Sequence, residues 1–184
     1  MALLSLMARL GSSDPVELRK DMAELIEGFE IGRFGAAPTK FDATDLLPLT
    51  ARHLQTLDYG AVADEIAKLF VPDDLAEAFW LVARDNITTL QDLAGWWSMM
   101  RDGAEPVIAD DDVEFVKEAV ALLPEVPFDA STWSSWTNAV KEATGRKGKS
   151  LFMPLRLALT GQERGPEMAQ LLPLLQVVRV RDQG

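Results

Sequence analysis

Apolar residues in this chain recur at spacings of three and four, and strand-type alternation is nearly absent along its 184 positions. That property confines the chain to an all-α fold, because a 3.6-residue period gathers such residues on one helical face. The punctuation agrees. "GSSDPVEL" supplies a stop in Gly11, then Asp14 as a capping residue before Pro15. "RKDMAELIEGF" reads as a helix ending near Gly28. Asp42 is placed to cap "ATDLLPLTARHLQTL", with Pro48 expected in its first turn or at a kink. "DYGAVADEIAKLF" follows as a short amphipathic helix, and "PDDLAEAFWLVARD" opens on a proline and two aspartates. "TTLQDLAGWWSMMRD" sets Leu90, Leu93, Trp97 and Met100 on one face. "DDDVEFVKEAVALL" stops before Pro124. "DASTWSSWTNAVKEATG" has Asp129 or Ser131 as cap, Trp133, Trp136 and Val140 as a stripe, and Gly145 as terminator. "KSLFMPLRLALTG" and "GPEMAQLLPLLQVV" complete about ten helices. The break at "VPDD", near Phe70–Pro72, divides them into two packed helical portions, 1–70 and 71–184.

Composition then narrows the chemistry. There is no cysteine, which excludes disulfides and thiolate metal sites and makes a cytoplasmic location the natural expectation. His53 is the single histidine, too few for a histidine metal site or a Ser-His-Asp triad. No apolar run approaches the roughly 20 residues of a membrane span. "MALLSLMARLGSS" is apolar but has no basic flank in front, so it does not read as a signal peptide. It opens in mid-pattern without a cap, which leads us to expect a fragment or excised module.

The net charge of −11 repels phosphate at long range, yet its distribution is uneven. Residues 141–164 hold six cations (Lys141, Arg146, Lys147, Lys149, Arg156, Arg164) against two acids, Glu142 and Glu163. The stretch 102–129 carries nine acids against Lys117. "DDDVE" points its carboxylates in different directions at a helix start, where the helix dipole and solvent account for them. "STWSS" suits capping, and "GRKGKS" lacks the loop length of a phosphate-binding P-loop. Trp96 and Trp97 are sequence neighbours, so both cannot face inward from one helix. The basic stretch is different. Its leucines (Leu151, Leu155, Leu157, Leu159) explain a core face, but not why Lys147, Lys149 and Arg156 gather beside a glycine-rich turn. Cations and exposed backbone amides suit phosphate, arginine suits base edges, and a loop carrying Pro166 and Met168 suits an unstacked RNA base.

These residues also carry a resemblance. "GRKGKSLFMPLRLALTG", then "GPEM" and "LLPLL", resembles the C-terminal anticodon-binding region of bacterial-type glutamyl-tRNA synthetases. "LLSLMARLGSSDP" is similar to the segment after the KMSKS-type loop of that family, "FDATDLLPLTARHLQTL" to its following helix, and "FWLVARDNITTLQDLAGWW" to the start of its anticodon-binding part. Neither the H-I-G-H-like motif nor the K-x-S-K-type loop of the family's catalytic half occurs in this sequence. The resemblance therefore implies a stem-contact part over 1–70 and an anticodon-binding part over 71–184. It implies no catalytic residue and no cofactor or metal in this chain, with ATP and Mg²⁺ belonging to a covalently joined N-terminal domain.

By position, the resemblance places anticodon contacts at Met153, Arg156, Gly165, Pro166 and Met168. A further contact falls at Asn86, where some members carry an arginine, with Arg84 nearby. Arg146, Lys147, Lys149 and Arg164 would approach phosphate. The implied partner is tRNA(Glu), with tRNA(Gln) as a second candidate, for a monomeric cytoplasmic protein that makes no membrane contact. The tail "QVVRVRDQG" and Thr50, where the family has asparagine, depart from the pattern. The alternative is a free-standing helical interaction module using the acidic face 102–129 and an exposed Trp96 or Trp97.

Overall fold

The computed structural model describes residues 1–183, and they contain ten α-helices, short 3-10 turns and no strand beyond an isolated bridge between Ser12 and Phe34. The first three helices are α1 (Ala2–Met7), α2 (Met22–Glu27) and α3 (Leu46–Gln55). Asp14 does not cap a helix as its sequence context suggested. Its carboxylate instead sits 3.1 Å from both Arg9 and Arg33, and residues 15–19 stay non-helical. The cap role passes to Asp21, whose side chain accepts from the Glu24 amide at 2.9 Å while Glu24 reaches back to the Lys20 amide. Asp42 accepts from the Thr44 amide and opens the 3-10 turn that leads into α3. Pro48 lies in the first turn of α3, where a missing N–H costs no helical bond.

From α4 (Ala63–Ala67) onward the helices share one large core. In α5 (Asp73–Ala83), Pro72 and the aspartates stand at the helix start, and Phe79 and Trp80 are fully buried. The Trp80 indole donates to Leu57 O at 3.0 Å, tying α5 to the turn after α3. In α6 (Asp92–Asp102), Leu93, Trp97 and Met100 are buried as the spacing predicted, while Trp96 lies half-buried on the adjacent face. Helix α7 (Val113–Ala121) receives the Trp136 indole of α8 (Thr132–Thr144) on Ala119 O at 2.7 Å. Asp129 accepts from the Ser131 amide and the Ser131 and Thr132 hydroxyls, and Gly145 ends α8 at φ +71°. Helix α9 (Lys149–Thr160) buries Leu151, Leu155 and Leu159 and ends at Gly161, φ +66°. A short α10 (Met168–Leu171) and a C-terminal segment close the core.

A second, smaller cluster holds only Ala2, Leu6 and Leu49, with Leu18 and Leu46 against it. Helix α3 contributes to both clusters, Leu49 to the small one and Leu54 to the large one.

Pro154 sits inside α9, where its missing N–H leaves the Ser150 carbonyl without the usual helical donor. Arg146 fills that gap. Its Nη1 donates to Ser150 O at 3.3 Å and also pairs with Asp112, while its guanidinium lies 4.0 Å over the Phe115 ring.

Candidate nucleic-acid interface

The loop between α9 and α10 decides the geometry of the site. Gly161 turns the chain so closely that a methyl group there would lie 2.8 Å from Glu105 O. Four residues later Gly165 has φ +149°, and a methyl group there would lie 2.6 Å from Arg156 Nη2 and 2.9 Å from Trp96 Cη2. Only glycine lets the loop backbone pass between an arginine of α9 and a tryptophan of α6. Arg156 Nη1 donates to Pro166 O at 2.8 Å and so fixes the loop, while its Nε is buried without a partner among the described residues. Burial lowers the pKa of this guanidinium and Glu167 opposes the shift; arginine stays charged throughout the working range.

A surface cavity flanks each side of this seam, one lined by Arg156 and the other by Trp96. One, of about 340 Å³, is lined by Trp133, Phe152, Met153, Arg156, Glu167 and Met168. The Trp133 and Phe152 rings stand 6.1 Å apart at a 36° tilt, and Phe152 is 44% exposed. Aromatic and thioether surface beside a guanidinium and a carboxylate suits a flat heterocycle, with the rings for stacking and the charged groups for its edge. The other cavity, of about 490 Å³, is lined by Asn86, Gln91, Asp92, Gly95, Trp96 and Gln162. The Trp96 indole donates to Asn86 O at 3.3 Å, and the Asn86 amide donates to Val82 O. Asp92 accepts from the Thr88 and Thr89 amides, and chiefly the Thr89 bond holds its carboxyl below the usual range.

Most of the residues carried over from the resemblance converge here. Met153, Arg156 and Met168 line the first cavity, Asn86 the second, and Gly165 and Pro166 form the seam. Pro166 and Met168 are themselves buried, so their part is to hold the loop and floor the cavity rather than to offer an open face. Arg84 lies apart: it lines neither cavity, and its Nη1 turns toward Leu57 O at 3.4 Å. Arg146 is occupied by Asp112, Phe115 and Ser150, which makes it a brace for α9 rather than an open phosphate contact. Lys147, Lys149 and Arg164 are exposed and form no ion pair among the described residues.

Trp133, Phe152, Glu167 and Gln162 were not singled out as site residues from the sequence. A usable signal existed for two of them: Phe152 falls four positions before Arg156, hence on the same side of α9, and Gln162 adjoins the left-handed Gly161. His53 is half-buried and its pKa is lowered, first by burial and then by the N-terminal charge; no carboxylate is bonded to it. Within the acidic stretch Asp112 pairs with Arg146, Glu125 with Arg181 and Asp102 with Arg101, and Trp97 is only 3% exposed. Of these acids only Asp112, 24% exposed, is drawn into the fold; Asp102 and Glu125 keep their pairs at the surface. No group of three or more metal-ligating side chains is assembled among the described residues, and no helix among them is long and apolar enough to cross a membrane.

Comparison with known proteins converges on the same region. The family model of the anticodon binding domain matches residues 59–182. The chain is 72% identical over 181 residues to glutamate–tRNA ligase 1 of Ruegeria pomeroyi, covering 98% of this chain and 41% of that protein. It is 68% identical to glutamate–tRNA ligase 2 of Ruegeria sp. strain TM1040, with the same coverage. It therefore spans about two fifths of the length of these curated relatives. A solved glutamate-tRNA synthetase from Elizabethkingia anophelis shares the fold, with a TM-score of 0.70 at 20% identity over 99% of this chain and 39% of that one. With its family model spanning both cavities and the seam between them, the chain belongs to the anticodon-binding domain family.

Proposed function

We propose that this chain is the tRNA-recognition portion of a glutamate–tRNA ligase and that it docks the anticodon arm of tRNA(Glu). The observation that carries this reading is the seam at Gly165, where Arg156 and Trp96 bring two base-sized cavities side by side. In this reading an unstacked anticodon base lies on Phe152 and Trp133, with Arg156 and Met153 at its edge. A neighbouring base enters the cavity of Asn86 and Gln162. Lys147, Lys149 and Arg164 meet phosphate. Residues ahead of the family match at 59–182 act as the stem-contact part and the matched residues as the anticodon part, because Val62 and Ile66 already pack in the large core and move the boundary ahead of residue 70. The resemblance implies an arginine at the position of Asn86 in some family members, which makes tRNA(Gln) a second candidate ligand. ATP and Mg²⁺ serve the remaining part of the longer polypeptide, which works as a cytoplasmic monomer in translation.

The test is a titration of tRNA(Glu) against this chain, and against the longer polypeptide, at two salt concentrations. Binding should weaken with salt, with a slope of about −0.7 per phosphate neutralised. Arg156→Ala should lower affinity by at least about tenfold, a loss of about 1.4 kcal/mol or more. Absence of salt-sensitive binding in a protein whose circular dichroism is unchanged would sink the reading, and competition with tRNA(Gln) reports the specificity.

A further inference from the structure

The first 47 residues invert the usual distribution of apolar surface. Among the described residues they contribute only Ala2 and Leu6 to their cluster, with Leu49 from further along α3, yet they hold ten of the eighteen large hydrophobic side chains that stand exposed. Helix α1 is the clearest case. Ala2, Ser5 and Leu6 face inward, and Ser5 accepts from the Arg19 amide at 3.0 Å. On the opposite face Leu3 is 51%, Leu4 44% and Met7 51% exposed. A helix apolar on all sides belongs in an interior, so one side of α1 lacks its partner. Ile26 of α2, at 65% exposure, stands open in the same portion. Three large apolar side chains exposed on one helix face, as on α1, mark an interface rather than a finished exterior.

We propose that the outer face of α1, formed by Leu3, Leu4 and Met7, is the seat of the polypeptide that the longer relatives carry beyond the matched region. The proposal rests on the reading of this chain as part of a ligase. The argument for this occupant is one of length: relatives 60–72% identical align with 96–98% of this chain but devote only 39–41% of themselves to it. Most of each relative is thus additional chain. A covalently joined body also needs little intrinsic affinity, since tethering supplies a high local concentration. The large core, by contrast, is closed by its own C-terminal segment, with Arg179 donating to Asp102 O at 2.8 Å and Gln176 to Met100 O at 2.8 Å.

Methionine oxidation by dilute peroxide, read by mass spectrometry, tests this without any substitution. In the polypeptide encoded by the complete reading frame, Met7 should oxidise about tenfold more slowly than in the 184-residue chain. Met153, at the tRNA cavity, should oxidise alike in both and serves as the internal control. Equal rates at Met7, or a reading frame that adds no further domain, overturn the proposal. Protection of Met7 in the short chain that grows with concentration, alongside a dimer in sedimentation, overturns it in favour of a second copy. A Leu3→Gln, Leu4→Gln double variant guards against an accidental result. It should lower the melting temperature of the longer polypeptide and leave the short chain within about 1 °C of its starting value. Dependence of tRNA affinity on Arg156 is read separately, so failure of this docking does not count against the tRNA reading.

Discussion

The two ends of α9 carry cations for opposite purposes. At the N-terminal end Arg146 is turned inward, bracing Asp112, the Phe115 ring and the Ser150 carbonyl that Pro154 leaves open, while Lys147 and Lys149 project into solvent. At the C-terminal end Arg156 is also half-buried, but it grips a loop rather than a helix and borders a cavity. The same residue type is a strut in one place and the border of an open cavity in the other. What separates them is whether the guanidinium's neighbours leave space beside it.

The most damaging way to break this contrast is at the seam. Gly165→Ala forces a side chain into φ +149° and against Arg156 and Trp96. Strain of this type costs about 1–3 kcal/mol, which for a chain of this size lowers the melting temperature by roughly 2–12 °C. Affinity for tRNA should fall by about tenfold or more at every salt concentration, with the salt slope intact, because no phosphate contact is removed. Calorimetry paired with the titration checks both halves. An unchanged affinity would show that the seam is not used.

At the other end of α9, Arg146→Ala removes the brace and leaves the Ser150 carbonyl and Asp112 without their partner. The pair is about one quarter exposed, so solvent screens part of the loss, and we expect about 1–2 kcal/mol of destabilisation. Arg146→Lys should recover little of this, since an ammonium cannot span the carbonyl, the carboxylate and the ring face together. The discriminating readout is the salt slope of tRNA binding. It should not move, and a slope reduced by about 0.7 would instead make Arg146 a phosphate contact.

How much of this contrast was legible in the sequence depends on the range of the interaction that fixes each residue. Pro72 with two aspartates, Asp129 with its hydroxyl neighbours, and the glycines after α8 and α9 are local signals, and each marks its helix end in the structure. The adjacent Trp96 and Trp97 had to separate, and Trp97 is the one inside. Long-range electrostatics were not readable. Asp14 stands before a proline like a cap, but Arg33, nineteen positions away, claims its carboxylate. Arg84 is two residues from Asn86, yet Leu57 O draws it to the other side. Arg146 had a decipherable cue in Pro154, whose missing N–H exposes the carbonyl four residues earlier. That the donor would come from Arg146 depends on the turn through Gly145 and Gly148, both at positive φ.

Smaller effects sharpen the comparison. Lys147→Ala and Lys149→Ala touch no packed neighbour, so stability should stay within about 0.5 kcal/mol. Each should weaken tRNA binding a few-fold and reduce the salt slope by about 0.7, the change not expected of Arg146→Ala. Measuring the three slopes side by side assigns brace and contact without reference to the fold.

The mildest perturbation is protonation of Asp92, the first residue of α6, whose carboxylate accepts from the preceding Thr88 and Thr89 amides and lines the cavity of Asn86. Its folded pKa is lowered, first by the Thr89 amide and then by the Thr88 amide, so the unfolded chain binds its proton more readily. The stability it contributes is therefore fully present above the ordinary carboxylate value of 3.8 and fades as pH falls through the lower folded value. Asp92→Ala should remove about 1 kcal/mol at neutral pH, in the range of exposed hydrogen bonds to a charged group, and should flatten that acid dependence. Carbon-detected titration of the Asp92 carboxyl gives the midpoint directly. A midpoint at or above 3.8 would mean that the two amide bonds do not persist in solution and that the cavity of Asn86 is less ordered than that of Arg156.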